Sequence, residues 1–408
     1  MAAGTKALGD LLDGIGSGRR EKPVVCECGA RMGSNGLIDK TLLTILGPVS
    51  YSRSIFQCDV CGTTRYPGDE ELDVVGTTRS PGLRRMMARA GSKSTFREGR
   101  DDLDIYAGVK VSAKDVERVA ERIGEDMENW AGAEREQLLG RVEPASCDKT
   151  IPVMYVSVDG TGIPMTKTEL KGRKGKQADG SSKTREVKLG CVFTQTTVDK
   201  DGFAVRDPES TSFVGAIETS NELGWRIYAE ALRRGLWRAE KVVVLGDGAE
   251  WIKTLVENHF SDAIHIIDLY HTREHVSDLC KLLFGSQEKE KVRHRMRWWT
   301  SLDEGAVDKI VREAKAQLPA DAGVREKAEK EISYLEKNQE RMRYLEFRAQ
   351  GLFVGSGVME AGCKTVIGQR MKQSGMEWSV RGANDIISLR CMMQSGRLED
   401  YWESRVGS

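Results

Sequence analysis

The sequence predicts an α/β protein in which a sheet domain carries an acidic site and is interrupted by a long helical segment. Two apolar runs each end at an aspartate followed by glycine, at Asp159 and Asp247. Glu360 lies far downstream in the glycine-rich stretch 355–362, where a helix is expected to begin. Convergent carboxylates of this kind hold two divalent cations about 3.5–4 Å apart in phosphoryl-transfer sites. Two aspartates after buried strands and one helical glutamate therefore predict an RNase H-like core.

Length and charge bound the possible functions. The chain has 408 residues, enough for two or three domains, and its 62 basic and 62 acidic residues cancel. DNA binding would therefore depend on local basic clusters and not on the overall field. The sequence contains no apolar stretch long enough to span a bilayer, and its start lacks the layout of a signal peptide. We expect a cytoplasmic, nucleoid-associated protein with reduced thiols and no membrane partner.

Residues 1–75 are predicted to form a zinc-ribbon-like module. Two glycine-ended cysteine knuckles flank β-like runs at 41–46 and 49–56, with a turn expected at Gly47-Pro48. Thiolates at this spacing can close a tetrahedral site that stabilises a small module. The first knuckle is Cys-x-Cys, and free thiols or a disulfide pair are the alternative. The expected ligands of a structural Zn²⁺ are Cys26, Cys28, Cys58 and Cys61.

Residues 76–148 are predicted to form a module of three helices. A capping box begins the second helix at Thr95, and Gly108 separates the second helix from the third. A helix-turn-helix fits this pattern and would present Arg118 and Arg122 of the third helix to DNA. A plain helical bundle that links two domains explains the pattern as well.

Residues 149–275 are predicted to form the first part of the core. Three strands, a helix, and then strand, helix and strand is the order of an RNase H-like domain, with Asp159 ending the first strand and Asp247 the fourth. Either Asp-Gly step alone would indicate a tight turn; the joint pattern with Glu360 favours metal ligands. The strands are expected at 153–158, 187–195, near 203 or 211, 242–245 and 264–267.

A helical insertion is predicted at residues 276–349. The chain between Asp268 and Glu360 is far longer than the fold requires, and it is rich in Lys, Arg, Glu and Leu at helical spacing. Residues 350–408 would complete the core, with Ser356 capping the helix that carries Glu360.

Histidines and basic residues surround the predicted acids. His271 would contact the scissile phosphate or hold Asp268, although a structural histidine satisfied by a carboxylate is the alternative. His275 is expected to face solvent, Lys364 to share a helix face with Glu360, and Trp378 to lie in the core. A basic hairpin at 167–188, for which a solvated loop is the alternative, and a cluster near Glu360 are candidate contacts to DNA phosphates. Their expected DNA-binding residues are Arg173, Lys174, Lys176, Arg185, Lys188, Lys364, Arg370 and Lys372.

Several motifs resemble those of the ISKra-type insertion-sequence transposases of bacteria. The motifs are VDGTG at 158–162, REVKLG at 185–190, LGDGA at 245–249, DLYH at 268–271 and GSGVMEAGCK at 355–364. The resemblance covers about residues 150–405 and is looser before them. It implies a DDE transposase with Asp159, Asp247 and Glu360 as its triad and Mg²⁺, or Mn²⁺, as its ion. The DLYH motif resembles one in the wider Mutator-like group, which also carries a helical insertion before its glutamate.

The sequence thus predicts a DNA transposase. It would bind the terminal inverted repeats of its element in double-stranded DNA, hydrolyse phosphodiester bonds at the ends, and join the freed 3′-hydroxyls to target DNA. Because two ends are handled together, we expect a homodimer or higher oligomer on DNA. Two alternatives remain open: a non-catalytic DNA-binding protein derived from a transposase, which the intact triad disfavours, and an RNase H-like nuclease that cuts without joining.

Overall fold

The protein is of mixed α/β architecture and divides into two compact units. A computed structural model describes residues 2–17, 23–141, 150–175, 177 and 180–405. The first unit comprises Met1–Met127 with Glu399–Ser408, and the second comprises Glu128–Leu398. Across the described ranges, every helix is too short or too polar to cross a membrane.

The first unit contains a three-stranded antiparallel sheet in the order β1-β2-β3. Its elements are α1 (Ala2–Gly16), β1 (Gly33–Thr44), β2 (Gly47–Gln57), β3 (Thr64–Arg65), α2 (Pro67–Glu71), α3 (Pro81–Lys93), α4 (Phe96–Ala107) and α5 (Ala113–Leu139) as far as Met127. Thr44 pairs with Gly47, so the hairpin turns at residues 45–46. The turn predicted at Gly47-Pro48 is therefore wrong, because these residues already begin β2 and Gly47 takes the left-handed φ of 108°.

Helix α1 packs on β2 and was not predicted. Leu12 joins Val49 and Tyr51 in one buried cluster, and the Asp13 carboxylate accepts a hydrogen bond from the backbone N–H of Ser52 at 2.5 Å. Seven of its fifteen residues are glycine or alanine, so its apolar face is narrow.

The three helices expected after residue 76 are present as α3, α4 and α5. Thr95 and Glu98 form the expected capping box, and Gly108 ends α4 with a left-handed φ of 66°. Arg118 and Arg122 lie on the exposed face of α5, where Arg122 is 3.5 Å from Asp126. The helices share a core of Leu83, Met87, Leu103, Val109 and Val116.

The second unit is centred on a five-stranded sheet. Its first elements are β4 (Ile151–Pro164), α6 (Lys167–Leu170), β5 (Thr184–Gln195), β6 (Thr197–Val198), β7 (Ala204–Val205), β8 (Ser212–Ala216), α7 (Ser220–Arg233), β9 (Ala239–Gly246), α8 (Glu250–His259) and β10 (Ile264–Ile267). The strand order is β10-β9-β4-β5-β8, antiparallel across β4, β5 and β8 and parallel across β4, β9 and β10. Helices α7 and α8 cover one face through Ile227 and Ile252, which pack on Val156 and Val192. The third strand along the chain in this sheet, β8, begins at Ser212, next to one of its two expected positions, residue 211.

Strand β4 is longer than its apolar run. Asp159 was expected to end the strand, but β4 continues to Pro164 because Gly160 and Gly162 pair with Lys188 and Glu186 of β5. A Cβ at position 160 would lie 2.4 Å from the Glu186 carboxylate, so Glu186 would have to move to admit any side chain there. The Asp159-Gly160 step is therefore extended strand and not a turn.

The remaining chain is helical. It forms α9 (Leu269–Phe284), α10 (Glu288–Asp303), α11 (Val307–Lys315), α12 (Ala322–Lys337), α13 (Tyr344–Ala349), α14 (Gly357–Gly362), a π-helical segment (Cys363–Gly368), α15 (Gln369–Met371), α16 (Val380–Gln394) and α17 (Leu398–Ser404). Helices α9 to α13 fill the segment where an insertion was expected, around buried Trp298 and Leu335. Trp378 is buried as expected, and its backbone bonds the end of β4 at Pro164. In the first unit, Arg405 after α17 pairs with Asp73 at 2.6 Å.

Candidate active site and cysteine metal site

Four cysteines in the first unit form one compact group. The Sγ atoms of Cys26, Cys28, Cys58 and Cys61 all lie within 4.8 Å of one another. The closest pairs, Cys26–Cys61 at 3.4 Å and Cys28–Cys58 at 3.6 Å, are far beyond the length of a disulfide bond. Hydrogen bonding to the side chain and backbone of Thr63 lowers the pKa of Cys61 to about 6. A closed set of four thiols fits Zn²⁺, so the expected ligands are brought together.

Asp159 and Asp247 occupy equivalent positions on adjacent strands of the second unit. Ser157 of β4 pairs in parallel with Leu245 of β9, and each aspartate lies two residues further along its strand direction. The Ser157 hydroxyl donates to the Leu245 carbonyl at 3.1 Å and fixes this register. Asp159 lies within β4 and Asp247 directly follows β9 at the matching level, and the charge of Asp247 acts on Asp159; this end of the two strands is here called the carboxylate edge.

The Asp159 carboxylate accepts two hydrogen bonds. It accepts hydrogen bonds from the backbone N–H of Gly160 at 2.6 Å and from the thiol of Cys363 at 3.4 Å. Burial raises the pKa of Asp159, and the negative charge of Asp247 raises it further, against the opposite effect of the two hydrogen bonds. The surroundings of Asp159 therefore disfavour its ionised form, and a bound cation would relieve this.

The Asp247 loop is held from the helical segment. The Asp247 carboxylate accepts from the backbone N–H of Ala249 at 2.9 Å, and the Asp247 carbonyl accepts from the Tyr334 hydroxyl at 3.0 Å. Gly248 has a left-handed φ of 84°, and a Cβ there would lie 2.4 Å from the Tyr334 oxygen. Only glycine allows this turn and this close approach together.

Glu360 is an exposed residue of the short helix α14, which packs against β4 and β5. Ser356 precedes the helix but its side chain does not cap it; its backbone N–H instead bonds the Asp268 carboxylate. Cys363, three residues after Glu360, carries the thiol that reaches Asp159. In the part of the chain that the structure describes, only the cysteines form a group of three or more His, Cys, Asp or Glu ligand atoms within 4.8 Å. Asp159, Asp247 and Glu360 are therefore not closed into one ligand set.

His271 and His275 form a pair and do not lie free. The backbone N–H of His271 donates to Asp268, which caps α9, while its ring nitrogen Nε2 lies 3.2 Å from Nε2 of His275. His275 was expected to face solvent, but its ring stacks on Tyr334 at 4.0 Å and its Nδ1 lies 2.6 Å from the Glu331 carboxylate. The helical segment supplies both partners, which the local spacing of α9 does not reveal.

The basic candidates divide into exposed and covered groups. Arg173, Lys174 and Lys364 are exposed. The π-helical segment begins between Glu360 and Lys364, so the regular α-helical spacing that would put both on one helix face is interrupted. The Lys372 ammonium donates to the Thr161 hydroxyl at 2.5 Å beside the carboxylate edge. Arg185 is partly covered, 3.8 Å from Glu169. Lys176 lies outside the described residues.

Two basic candidates are corrected by their burial. Arg370 is fully buried, with its guanidinium 4.9 Å from the centre of the Trp378 ring, so it stabilises the core and cannot meet a phosphate. The Lys188 side chain is 13% exposed, and its ammonium is paired with Glu186 at 2.6 Å. Both residues lie in basic stretches of sequence, and tertiary packing turns them inward.

Sequence reasoning missed two residues of the site. Cys363 was noted only as part of a motif, but it begins the π-helical segment after α14 and its thiol reaches Asp159. Tyr334 lies 87 residues from Asp247, and no local pattern links the two.

The donor set at the carboxylate edge fits a hard divalent cation. Carboxylate oxygens are the ligands that Mg²⁺ and Mn²⁺ prefer, and two like charges at adjacent strand positions repel each other without a cation. Asp159 and Asp247 would hold such an ion from the sheet, and Glu360 would add a ligand from α14.

Comparisons with known proteins identify similar chains. The model of a family described as an uncharacterised protein family, UPF0236, matches residues 216–405. The UPF0236 protein in the vanSb 3′ region of Streptococcus gallolyticus is 23% identical over 315 residues, which are 76% of this chain and 62% of that protein. The chain thus spans less than two thirds of this relative's length. A chain of the Drosophila P element transposase strand transfer complex is 10% identical to this chain. The match covers 78% of this chain and 80% of that chain, with a TM-score of 0.25.

Proposed function

We propose that this protein is a DDE transposase of the ISKra type, with an RNase H-like core that a helical insertion interrupts. In this proposal the triad is Asp159, Asp247 and Glu360, and the substrate is double-stranded DNA. The protein would bind the terminal inverted repeats of its element and act on them as a homodimer or higher oligomer.

One observation carries the proposal: Asp159 and Asp247 have equivalent positions on adjacent parallel strands. The strand order is β10-β9-β4-β5-β8. Strands β4, β5 and β8 are antiparallel neighbours, and β9 and β10 run parallel to β4. This is the arrangement expected of an RNase H-like core. Helix α14 packs on β4, the strand that carries Asp159, and on β5, so Glu360 belongs to an element that adjoins this edge.

The residues of the chain would prepare the site for phosphodiester attack. Bound divalent cations supply Lewis acidity for the attacking and leaving oxygens. Asp159, Asp247 and Glu360 would hold these cations. Asp159 must lose its proton to do so, and because its pKa is raised, cation binding should strengthen as pH rises. Tyr334 and Ala249 fix the Asp247 loop in place.

DNA would be held by residues around this edge. The exposed Lys364, Arg173 and Lys174, together with Lys372, would neutralise backbone phosphates, and Arg185 would add a partly covered charge. Arg118 and Arg122 offer a separate basic face on α5. The four-cysteine site would hold Zn²⁺ and stabilise the hairpin around it.

Cleavage of a labelled duplex tests this proposal. The duplex carries the DNA that flanks the gene at the end of its element, and reactions contain Mg²⁺ or Mn²⁺. We expect metal-dependent cutting at the end by the wild type, and no cutting by Asp159→Ala or Glu360→Ala although both still bind the duplex. Glu257→Gln, which changes an exposed helical glutamate away from this edge, should cut normally.

The products separate the alternatives. Joining of the cut 3′ end to a second duplex supports a transposase, whereas cutting without joining indicates a nuclease. Binding by the wild type with no cutting in either metal would overturn the catalytic proposal in favour of a DNA-binding protein.

A further inference from the structure

We propose that His271 and His275 chelate a divalent transition-metal ion, at a site distinct from the four cysteines and from the triad carboxylates. The two residues are four apart on α9, so their side chains leave the helix on the same face. This inference does not depend on the proposed transposase activity.

The distance between the two rings suits a shared metal ion. Their Nε2 atoms are 3.2 Å apart, and the rings meet nearly at right angles, at 85°. Two metal–nitrogen bonds of about 2.0–2.1 Å at a tetrahedral angle place their nitrogens about 3.3–3.4 Å apart. A metal ion can therefore enter between the rings with almost no movement of either histidine.

One of the two rings has a hydrogen-bonded carboxylate on its other nitrogen. The Glu331 carboxylate is 2.6 Å from Nδ1 of His275, whereas the Glu274 carboxylate is 3.6 Å from Nδ1 of His271, beyond hydrogen-bond distance. Metal-ligating histidines usually donate their second ring N–H to a carboxylate, as His275 can to Glu331, which orients the ring and makes the other nitrogen a better ligand.

The tautomers of the two histidines determine which groups face each other between the rings. If both Nδ1 atoms carry the hydrogen, each Nε2 atom has only a lone pair, and two lone pairs at 3.2 Å repel. A positive centre between them removes the repulsion. Tyr334 stacks on His275 at 4.0 Å and keeps the ring in this orientation.

The ligand chemistry selects the class of metal. Imidazole prefers Zn²⁺, Ni²⁺, Co²⁺ or Cu²⁺ over the hard Mg²⁺ expected at the carboxylate edge. The His271 side chain is 36% exposed, so water can complete the coordination. The chain has five histidines, all described, and the other three pack elsewhere: His259 against Trp225, His294 against Phe284, and His265 in a strand.

Titration of the untagged, zinc-loaded protein with Ni²⁺ by calorimetry tests the site. Zinc content is measured before and after, to verify that the cysteines keep their ion. We expect the wild type and His259→Asn to bind one Ni²⁺ with the same affinity, and His271→Asn and His275→Asn to lose this binding. Glu331→Gln should weaken it about 10-fold or more.

His271→Asn changes a partly exposed side chain, so it keeps the test valid if His275→Asn fails to fold. Equal Ni²⁺ binding by His271→Asn and the wild type would overturn the proposal, as would no Ni²⁺ binding by the folded wild type. Either result would mean that the two histidines share only a hydrogen bond. DNA cleavage is not used, so failure of this site and failure of the transposase proposal are separate outcomes.

Discussion

The two candidate metal sites differ in how complete they are. The four cysteines lie within 4.8 Å of one another and come from two knuckles joined by one hairpin. The carboxylate edge draws Asp159 and Asp247 from adjacent strands, whereas Glu360 stands exposed on a separate helix. Ionised carboxylates that are not bound to a cation repel each other. The closed site suits a structural metal, and the open site suits one that must also admit substrate.

Loss of a cysteine should have the largest effect. Cys58→Ser removes a buried ligand, and because zinc binding to such modules contributes about 10–16 kcal/mol of folding free energy, we expect loss of zinc and unfolding of the hairpin. Zinc content by mass spectrometry and proteolysis of residues 23–65 measure this. Cys280 is a buried thiol of the second unit, and the Cys280→Ser variant should keep the zinc of the four-cysteine site. Retained zinc in Cys58→Ser would contradict the four-ligand site.

Glu360→Gln should separate catalysis from stability at the open site. We expect DNA cleavage to fall at least about 10³-fold, the scale on which single catalytic groups act, with no change in the melting temperature because the residue is exposed. Glu257→Gln is the matched control. A melting temperature that falls together with activity would indicate a structural role for Glu360.

Tyr334→Phe should weaken the open site without dismantling it. The change removes the hydrogen bond to the Asp247 carbonyl, and a net loss of about 0.5–1.5 kcal/mol should raise the Mg²⁺ concentration for half-maximal cleavage by about 2–10-fold. Tyr344→Phe removes a comparable buried hydrogen bond, to Thr272 at 2.7 Å, away from Asp247. Equal Mg²⁺ requirements in the two variants would contradict a positioning role for Tyr334.

Asp159→Asn should have the smallest effect, a stabilisation of the metal-free protein. Since burial raises the pKa of Asp159 above 3.8, the protonated form is stable at low pH and stability is lost as pH rises through the raised pKa. Asparagine does not ionise, so it avoids this loss of unfolding free energy. In a buffer with a metal chelator at pH 7, the melting temperature should therefore rise by about 2–4 °C for each kcal/mol of unfolding free energy gained. The gain should disappear as pH falls towards 3.8.

Asp207→Asn is the control of opposite sign. Against the desolvation that burial imposes, hydrogen bonds from Thr194 and Thr196 lower the pKa of Asp207. Its stabilising contribution is present at pH 7 and lost at lower pH, so the variant should melt at a lower temperature. A lower melting temperature for Asp159→Asn as well would contradict the repulsion inferred at the carboxylate edge.

Local patterns predicted the parts of the protein that local structure determines. The cysteine spacing, the capping box at Thr95 and the apolar runs before Asp159 and Asp247 each depend on neighbours within a few residues or one hairpin. The extension of β4 beyond Asp159 was missed because the two glycines that follow suggest a turn, while pairing with β5 keeps them extended.

Contacts between segments that are distant in the chain could not be predicted from local sequence patterns. Arg370 belongs to a basic stretch that resembles a surface, but its guanidinium lies over Trp378. His275 was placed in solvent because α9 alone does not show that Glu331 and Tyr334 of α12 cover it. The approach of Cys363 to Asp159 joins residues 204 positions apart.

The most direct test of the central claim is diffraction from crystals of the protein grown with Mn²⁺ and a duplex of the element's end, with anomalous scattering used to locate the ions. We expect Mn²⁺ at the carboxylate edge, coordinated by Asp159 and Asp247, with Glu360 moved in as a further ligand. Mn²⁺ bound elsewhere, or at this edge with Glu360 still turned to solvent in the DNA complex, would contradict it.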